Sequence, residues 1–158
     1  MKIRAIMSPP PEPVGPDTPV TEIAERLLEA RCNSLPILDT QNGVVGMIST
    51  GDLTHRLADE HVPERESWWR ESLYRSPLRR GSDHPDRSEG RTAAAVMSRR
   101  VISVGPDDDT SVAARMLLEH RIHAVPVLED DRLIGMVSRF DMIRCLVEHP
   151  DCCNPMRQ

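Results

Sequence analysis

In the run Gly135-Met136-Val137-Ser138-Arg139-Phe140-Asp141, a hydroxyl stands at the end of an apolar, strand-like stretch and a carboxylate follows within one helical turn. An ionised carboxylate only accepts, and it takes two hydrogen bonds at once, which suits the vicinal hydroxyls of a sugar. A serine beside the free N–H groups of a helix N-terminus suits a phosphate. The same Ser-x-x-Asp spacing also writes a capping box, in which both side chains merely satisfy orphan N–H groups at a helix start. Spacing alone leaves both readings standing.

Cationic and hydroxyl partners for such a ligand are Arg121, His123 and Arg139, with Ser103 in the stretch Val101-Ile102-Ser103-Val104. His123 supplies charge only where its surroundings hold it protonated near neutral pH, and a single histidine beside a strand is as a rule solvated. An earlier run, Gly46-Met47-Ile48-Ser49-Thr50-Gly51-Asp52, repeats the hydroxyl and the carboxylate with fewer helpers. There Thr50 stands for Arg139, Asn33 for His123 and Pro13 for Ser103. The expected binding set is therefore Asp141, Ser138, Arg139, Ser103, His123 and Arg121, with Asp52, Ser49 and Thr50 a weaker second site.

Catalysis has no such footing. The chain shows no nucleophile–base pair, no metal constellation and no GxxxxGK phosphate loop, so no catalytic residue is assigned. Cys32, Cys145, Cys152 and Cys153 form no zinc-type CxxC pair, and His149 with Cys152 and Cys153 supplies too few ligands, so no metal is expected and the thiols are expected to be reduced.

The elements that must position these residues occur twice. The stretch from Ala5 to Leu53 is echoed from Ala95 to Met142: Met7-Ser8 matches Met97-Ser98, Val14-Gly15-Pro16-Asp17 matches Val104-Gly105-Pro106-Asp107, and Pro36 matches Pro126. After a one-residue deletion in the second turn, Gly46-Met47, Ser49 and Asp52 match Gly135-Met136, Ser138 and Asp141. Each copy reads as strand, helix, strand, turn, strand, helix. Val20, Ile23, Ala24, Leu27 and Leu28 share one helical face, with Thr18 as N-cap and Pro19 at the first helical position. Leu35 to Leu38 and Val44 to Ile48 flank a turn ending in Asn42-Gly43, which suits a hairpin. Neither half is large enough to bury its own sheet, so the two are expected to pack sheet to sheet around a pseudo-two-fold axis.

The doubled order of GPD, helix, short strand with Pro-Ile or Pro-Val, acidic turn and G-x-x-Ser-x-x-Asp resembles the CBS-domain (cystathionine-β-synthase-type) family. The resemblance covers nearly the whole chain apart from the middle segment and the last few residues. It implies an α/β (α+β) module of two βαββα repeats, with clefts that often hold AMP, ADP or ATP and sometimes S-adenosylmethionine. It also implies that main-chain groups around Ile102 and Ser103 face the base, a role that Pro9, Pro10, Pro11 and Pro13 weaken in the first copy by removing donors. In this context the double Ser-x-x-Asp favours the ligand over the cap. A homodimeric disc is also implied.

The resulting expectation is a first domain over 1–61, an insertion over 62–92, a second domain over 93–149 and a tail over 150–158. Function is expected to be regulatory sensing of an adenine nucleotide, not enzymatic. The alternatives are a dimerisation or protein-interaction module without a ligand and an S-adenosylmethionine sensor. A net charge of -5 disfavours nucleic acid as a partner, and the lack of a long apolar stretch or an apolar leader core gives a cytoplasmic, non-membrane expectation. Trp68, Trp69, Leu73 and Tyr74 crowd a segment too charged to build its own core. They either dock on the module or anchor an unidentified protein partner.

Overall fold

The computed structural model of the chain describes residues 1–58 and 92–149. The expectations for Trp68, Trp69, Leu73, Tyr74, Cys152 and Cys153 lie outside the described residues.

A 3-10 turn (Ile3–Ala5) leads into α1 (Val20–Glu29), β1 (Ser34–Leu38), β2 (Val44–Ser49) and α2 (Thr50–Ala58). The second copy repeats the order with a short α3 (Ala93–Val96), α4 (Thr110–Glu119), β3 (Ala124–Glu129), β4 (Arg132–Ser138) and α5 (Arg139–Glu148). β1 pairs antiparallel with β2, and β3 with β4, giving two small sheets in an α+β fold. The hairpins close because Asp39 Oδ1 accepts from the N–H groups of Gln41 and Gly43 while Asn42 takes a left-handed φ of 65°. Asp130 and Asp131 do the left-handed work in the second turn. Short polar side chains tolerate that conformation.

Two local expectations change. Thr18 does not cap α1: its hydroxyl accepts from Gly15 N at 3.2 Å, and Pro19 is the N-cap. The turn ahead of the helix is closer to Thr18 than the helix N–H groups are. The leading strand of each copy shrinks to one parallel bridge, Val14 to Ile37 and Val104 to Val127. Prolines at 13, 16 and 106 leave little donor-bearing backbone there to extend it.

The cores do not follow the repeats. Ile23, Leu27, Leu35, Ile37 and Ile48 of the first copy are completed by Ala93, Val96 and Met97 of the second. Reciprocally, Val104, Leu117, Val125, Val127 and Val137 are completed by Ile3 and Ile6. Matching bridges fix the exchange, Ser8 to Met136 and Met47 to Ser98, as a pseudo-two-fold requires. Gly46 and Gly135 make the approach possible: a Cβ on either would sit 3.1 Å from the carbonyl oxygen of Ser98 or Ser8. Ile3 is completely buried, worth about 1.5–3 kcal/mol of transfer free energy.

Ion pairs staple the same N-terminal turn to the second copy, Lys2 to Asp109 at 3.0 Å and Arg4 to Asp107 at 3.1 Å. Asp107 raises the Arg4 pKa and Lys2 lowers that of Asp109, but all four groups are solvated and contribute little.

Cys145 is disulfide-bonded, which corrects the reduced-thiol expectation, because sequence spacing does not show which sulfurs approach. Cys32 is free, and burial pushes its thiol pKa up. Among the described residues no helix is long and apolar enough to cross a membrane.

Candidate functional site

Each Ser-x-x-Asp motif lies where a central strand runs straight into a helix, β2 into α2 and β4 into α5. In the second copy Ser138 is the N-cap, and Asp141 Oδ2 accepts from Ser138 N at 2.7 Å and from Ser138 Oγ at 2.6 Å. Asp141 N donates back to Ser138 Oγ at 3.3 Å, which completes a capping box. Asp141 Oδ1 is also taken: Ser8 Oγ donates to it at 2.7 Å, and the Arg144 guanidinium pairs with it. Four donors engage its two oxygens, and only 4% of its surface is exposed.

Arg139 is committed as well. Its Nε donates to Ile122 O at 3.0 Å and its Nη2 to Leu117 O at 3.1 Å, which ties it to the C-terminal end of α4. Cationic side chains are at home there, because the last carbonyls of a helix lack partners. The His123 carbonyl accepts from Arg139 N at 3.1 Å, while the His123 side chain, like that of Ser103, is exposed and makes no hydrogen bond to the cap. Ile102 is half-buried against the second core, and Arg121 holds a left-handed φ of 53° just past α4. The sequence-predicted set is thus split, with Ser138 and Asp141 in the cap, Arg139 on a neighbouring helix end, and Ser103 and His123 on the surface.

The first copy is built alike and finished differently. Asp52 Oδ2 accepts from Ser49 N and Ser49 Oγ, both at 2.7 Å, and Thr50 N donates to Asn33 O at 2.8 Å. Asp52 is only half-buried, and its Oδ1 has no donor among the described residues. Directly across the ladder from Ser49 stands Ser34, 8% exposed, whose hydroxyl is buried without a partner among the described residues. Opposite residues on paired strands share a face, so the orphan hydroxyl and the Ser49–Asp52 cap belong to one region. The second copy has Ala124 in place of Ser34.

Sequence reasoning missed Ser8, Arg144 and Ser34. Arg144 was findable as the i+3 neighbour of Asp141 on a helix. Ser8 and Ser34 carried no signal, since their partners depend on tertiary placement. Among the described residues no cluster of His, Cys, Asp and Glu could hold a metal ion.

Two hairpin–helix units exchanging their first turns around a pseudo-two-fold, each ending in a Ser-x-x-Asp cap, define a tandem-repeat module. The CBS domain profile matches residues 3–59 and 93–148, and the chain belongs to the CBS-domain family. It is 26% identical over 144 residues to the chloroplastic CBS domain-containing protein CBSX1 of Arabidopsis thaliana, covering 85% of this chain and 58% of that protein. This chain therefore spans little more than half the length of that relative. The CBS domain pair of protein MJ0100, solved with 5'-methylthioadenosine and S-adenosyl-L-methionine, superposes with a TM-score of 0.71 at 23% identity, over 94% of this chain and 97% of that one. CBSX2 solved in complex with AMP gives 0.70 at 23%, over 93% and 96%. At that identity the likeness concerns the fold.

Proposed function

We propose that the chain is a regulatory module that senses an adenine nucleotide, AMP, ADP or ATP, in a cleft between its repeats, and that it works as a homodimer. The observation that carries the reading is the unfinished first-copy cap, in which half-buried Asp52 takes donors on Oδ2 alone among the described residues. An ionised carboxylate oxygen accepts readily, and a ligand hydroxyl would supply the donor that Asp52 Oδ1 lacks. Relatives solved with AMP and with S-adenosyl-L-methionine lend support to an adenosine-bearing ligand, with S-adenosylmethionine the second candidate. The first copy thereby ranks above the second, the reverse of the order read from sequence. Ser138 and Asp141 would serve a ligand only after Ser8 and Arg144 let go.

Titration calorimetry of ligand-stripped protein with AMP, ADP, ATP and S-adenosylmethionine tests this. At least one should bind, and Asp52→Ala should weaken it by roughly ten- to a hundredfold, the equivalent of a charge-assisted hydrogen bond. A larger loss from Asp141→Ala returns the site to the second cleft. If no adenosine derivative binds, the interaction-module reading replaces the sensor.

A further inference from the structure

Trp68 and Trp69 are the chain's only tryptophans, and with Leu73 and Tyr74 they fall in the segment 59–91, to which the candidate site assigns no role. From Trp68 to Arg80 that segment carries Arg70, Arg75, Arg79 and Arg80 against one acid, Glu71. Both of its ends join the described structure beside α1. It departs from α2, which packs on α1, and returns at Thr92, which bridges antiparallel to Pro19, the N-cap of α1. Ala93 N donates to Thr18 O and Ala94 N to Pro16 O, both at 2.8 Å, which pins the return just ahead of the helix. A chain over 59–91 spans up to roughly 100 Å when extended and α1 is about 15 Å long, so all of α1 is within reach. The open side of α1 is acidic, with Glu12, Glu22, Glu25 and Glu29 lining one groove beside Pro19 and Arg26. Arg26 pairs with Glu12 and Glu22, which leaves Glu25 and Glu29 exposed and without an ion pair among the described residues. Leu28, one helical turn from Glu25, is 78% exposed. The matching α4 also exposes a leucine, Leu118 at 69%, but has Val112 and Arg115 where α1 has Glu22 and Glu25. Charge, not apolar exposure, sets the α1 face apart.

We propose that the outer face of α1 is the docking surface for this chain's own segment 59–91, with Arg75, Arg79 and Arg80 set against Glu25 and Glu29 and the tryptophans covering Leu28. It holds whether or not the first cleft takes a nucleotide. Arginine suits such a face, because its planar head pairs with carboxylates while its stem lies along apolar surface. Single surface ion pairs are weak. A segment tethered at both ends to the repeat it docks on meets that face at a high effective concentration, so weak pairs and one apolar contact suffice. Docking also takes two neighbouring indoles out of water, where they would otherwise invite association.

Because both tryptophans lie in the segment, the emission of the full chain reports on it alone. That emission should be blue-shifted and poorly quenched by acrylamide. Glu25→Arg with Glu29→Arg should move it to longer wavelength and make quenching several-fold faster while the circular dichroism stays native. Adding Arg79→Glu with Arg80→Glu to that variant should restore it, and Glu119→Arg, the change on α4 that matches Glu29→Arg, should leave it unmoved. Water-like emission in the wild type overturns the proposal and leaves the tryptophans as an anchor for another protein. Emission that ignores the reversal on α1 overturns it as well, and a shift with Phe140→Glu instead would assign the segment to α5. Failure of the restoring pair overturns the charge matching. A blue shift lost on dilution also overturns the proposal, since the segment would then dock on a second copy of the chain.

Discussion

Asp52 and Asp141 hold the same place in the repeat, yet among the described residues Asp52 takes donors on one oxygen and Asp141 on both. The difference comes from Ser8 and Arg144, which both donate to Asp141 Oδ1 and to no counterpart position of the first copy among the described residues. Arg144 also donates to Ser8 Oγ at 3.2 Å and to Ile6 O at 3.3 Å, so the guanidinium ties the N-terminal segment to α5. Asp141→Asn should therefore cost stability, about 1–3 kcal/mol in urea denaturation, through the lost cap and the stranded donors. Asp52→Asn should cost less, since only Ser49 depends on it. Equal losses would show that the cross-repeat contacts add nothing. The Ser-x-x-Asp pairs were legible from spacing. Which of the two stays open was not, because Ser8 and Asp141 are 133 residues apart in the chain.

At the scale of the element, the hairpins are where local sequence and tertiary packing meet. Gly46 and Gly135 have no left-handed φ, so neither is needed for a turn. They stand in β2 and β4 because the other repeat's lead segment crosses directly over them. Gly135→Ala should destabilise by about 1–3 kcal/mol, since the new Cβ would meet Met7 Sδ at 2.8 Å and the less movable Ser8 carbonyl oxygen at 3.1 Å. Gly15→Ala, whose nearest neighbour would be Thr18 Oγ1 at 3.9 Å, is the matched control and should stay within about 0.5 kcal/mol of wild type. Comparable melting temperatures for the two variants would contradict the close crossing. The repeated glycines were visible in the sequence as a register mark, but their physical reason was not.

For the whole molecule, the exchange of first turns makes each core a joint product of both repeats. A protein built this way should melt in one transition, because loosening Ile3 opens the core that Val125, Val127 and Val137 share. Ile3→Ala should lower stability by about 2–5 kcal/mol, the usual span for a large-to-small change at a fully buried site. Calorimetry should show a single shifted peak. Two separated peaks, with the first-copy one unmoved, would mean that the repeats fold independently despite their exchange.

By itself the sequence determined the doubling, the amphipathic helices, the paired hairpins and the family, because each is written in short-range spacing that a single chain displays without folding. Tertiary structure alone decided that Ile3 and Ile6 belong to the second core and Ala93, Val96 and Met97 to the first. It also decided that Arg139 ties down a helix end, that Cys145 is disulfide-bonded and that the Ser34 hydroxyl is without a partner among the described residues. These are outcomes of which distant groups reach one another first for a limited number of donors and acceptors. That competition is settled by geometry across the pseudo-two-fold, and two copies of nearly the same local sequence settle it differently.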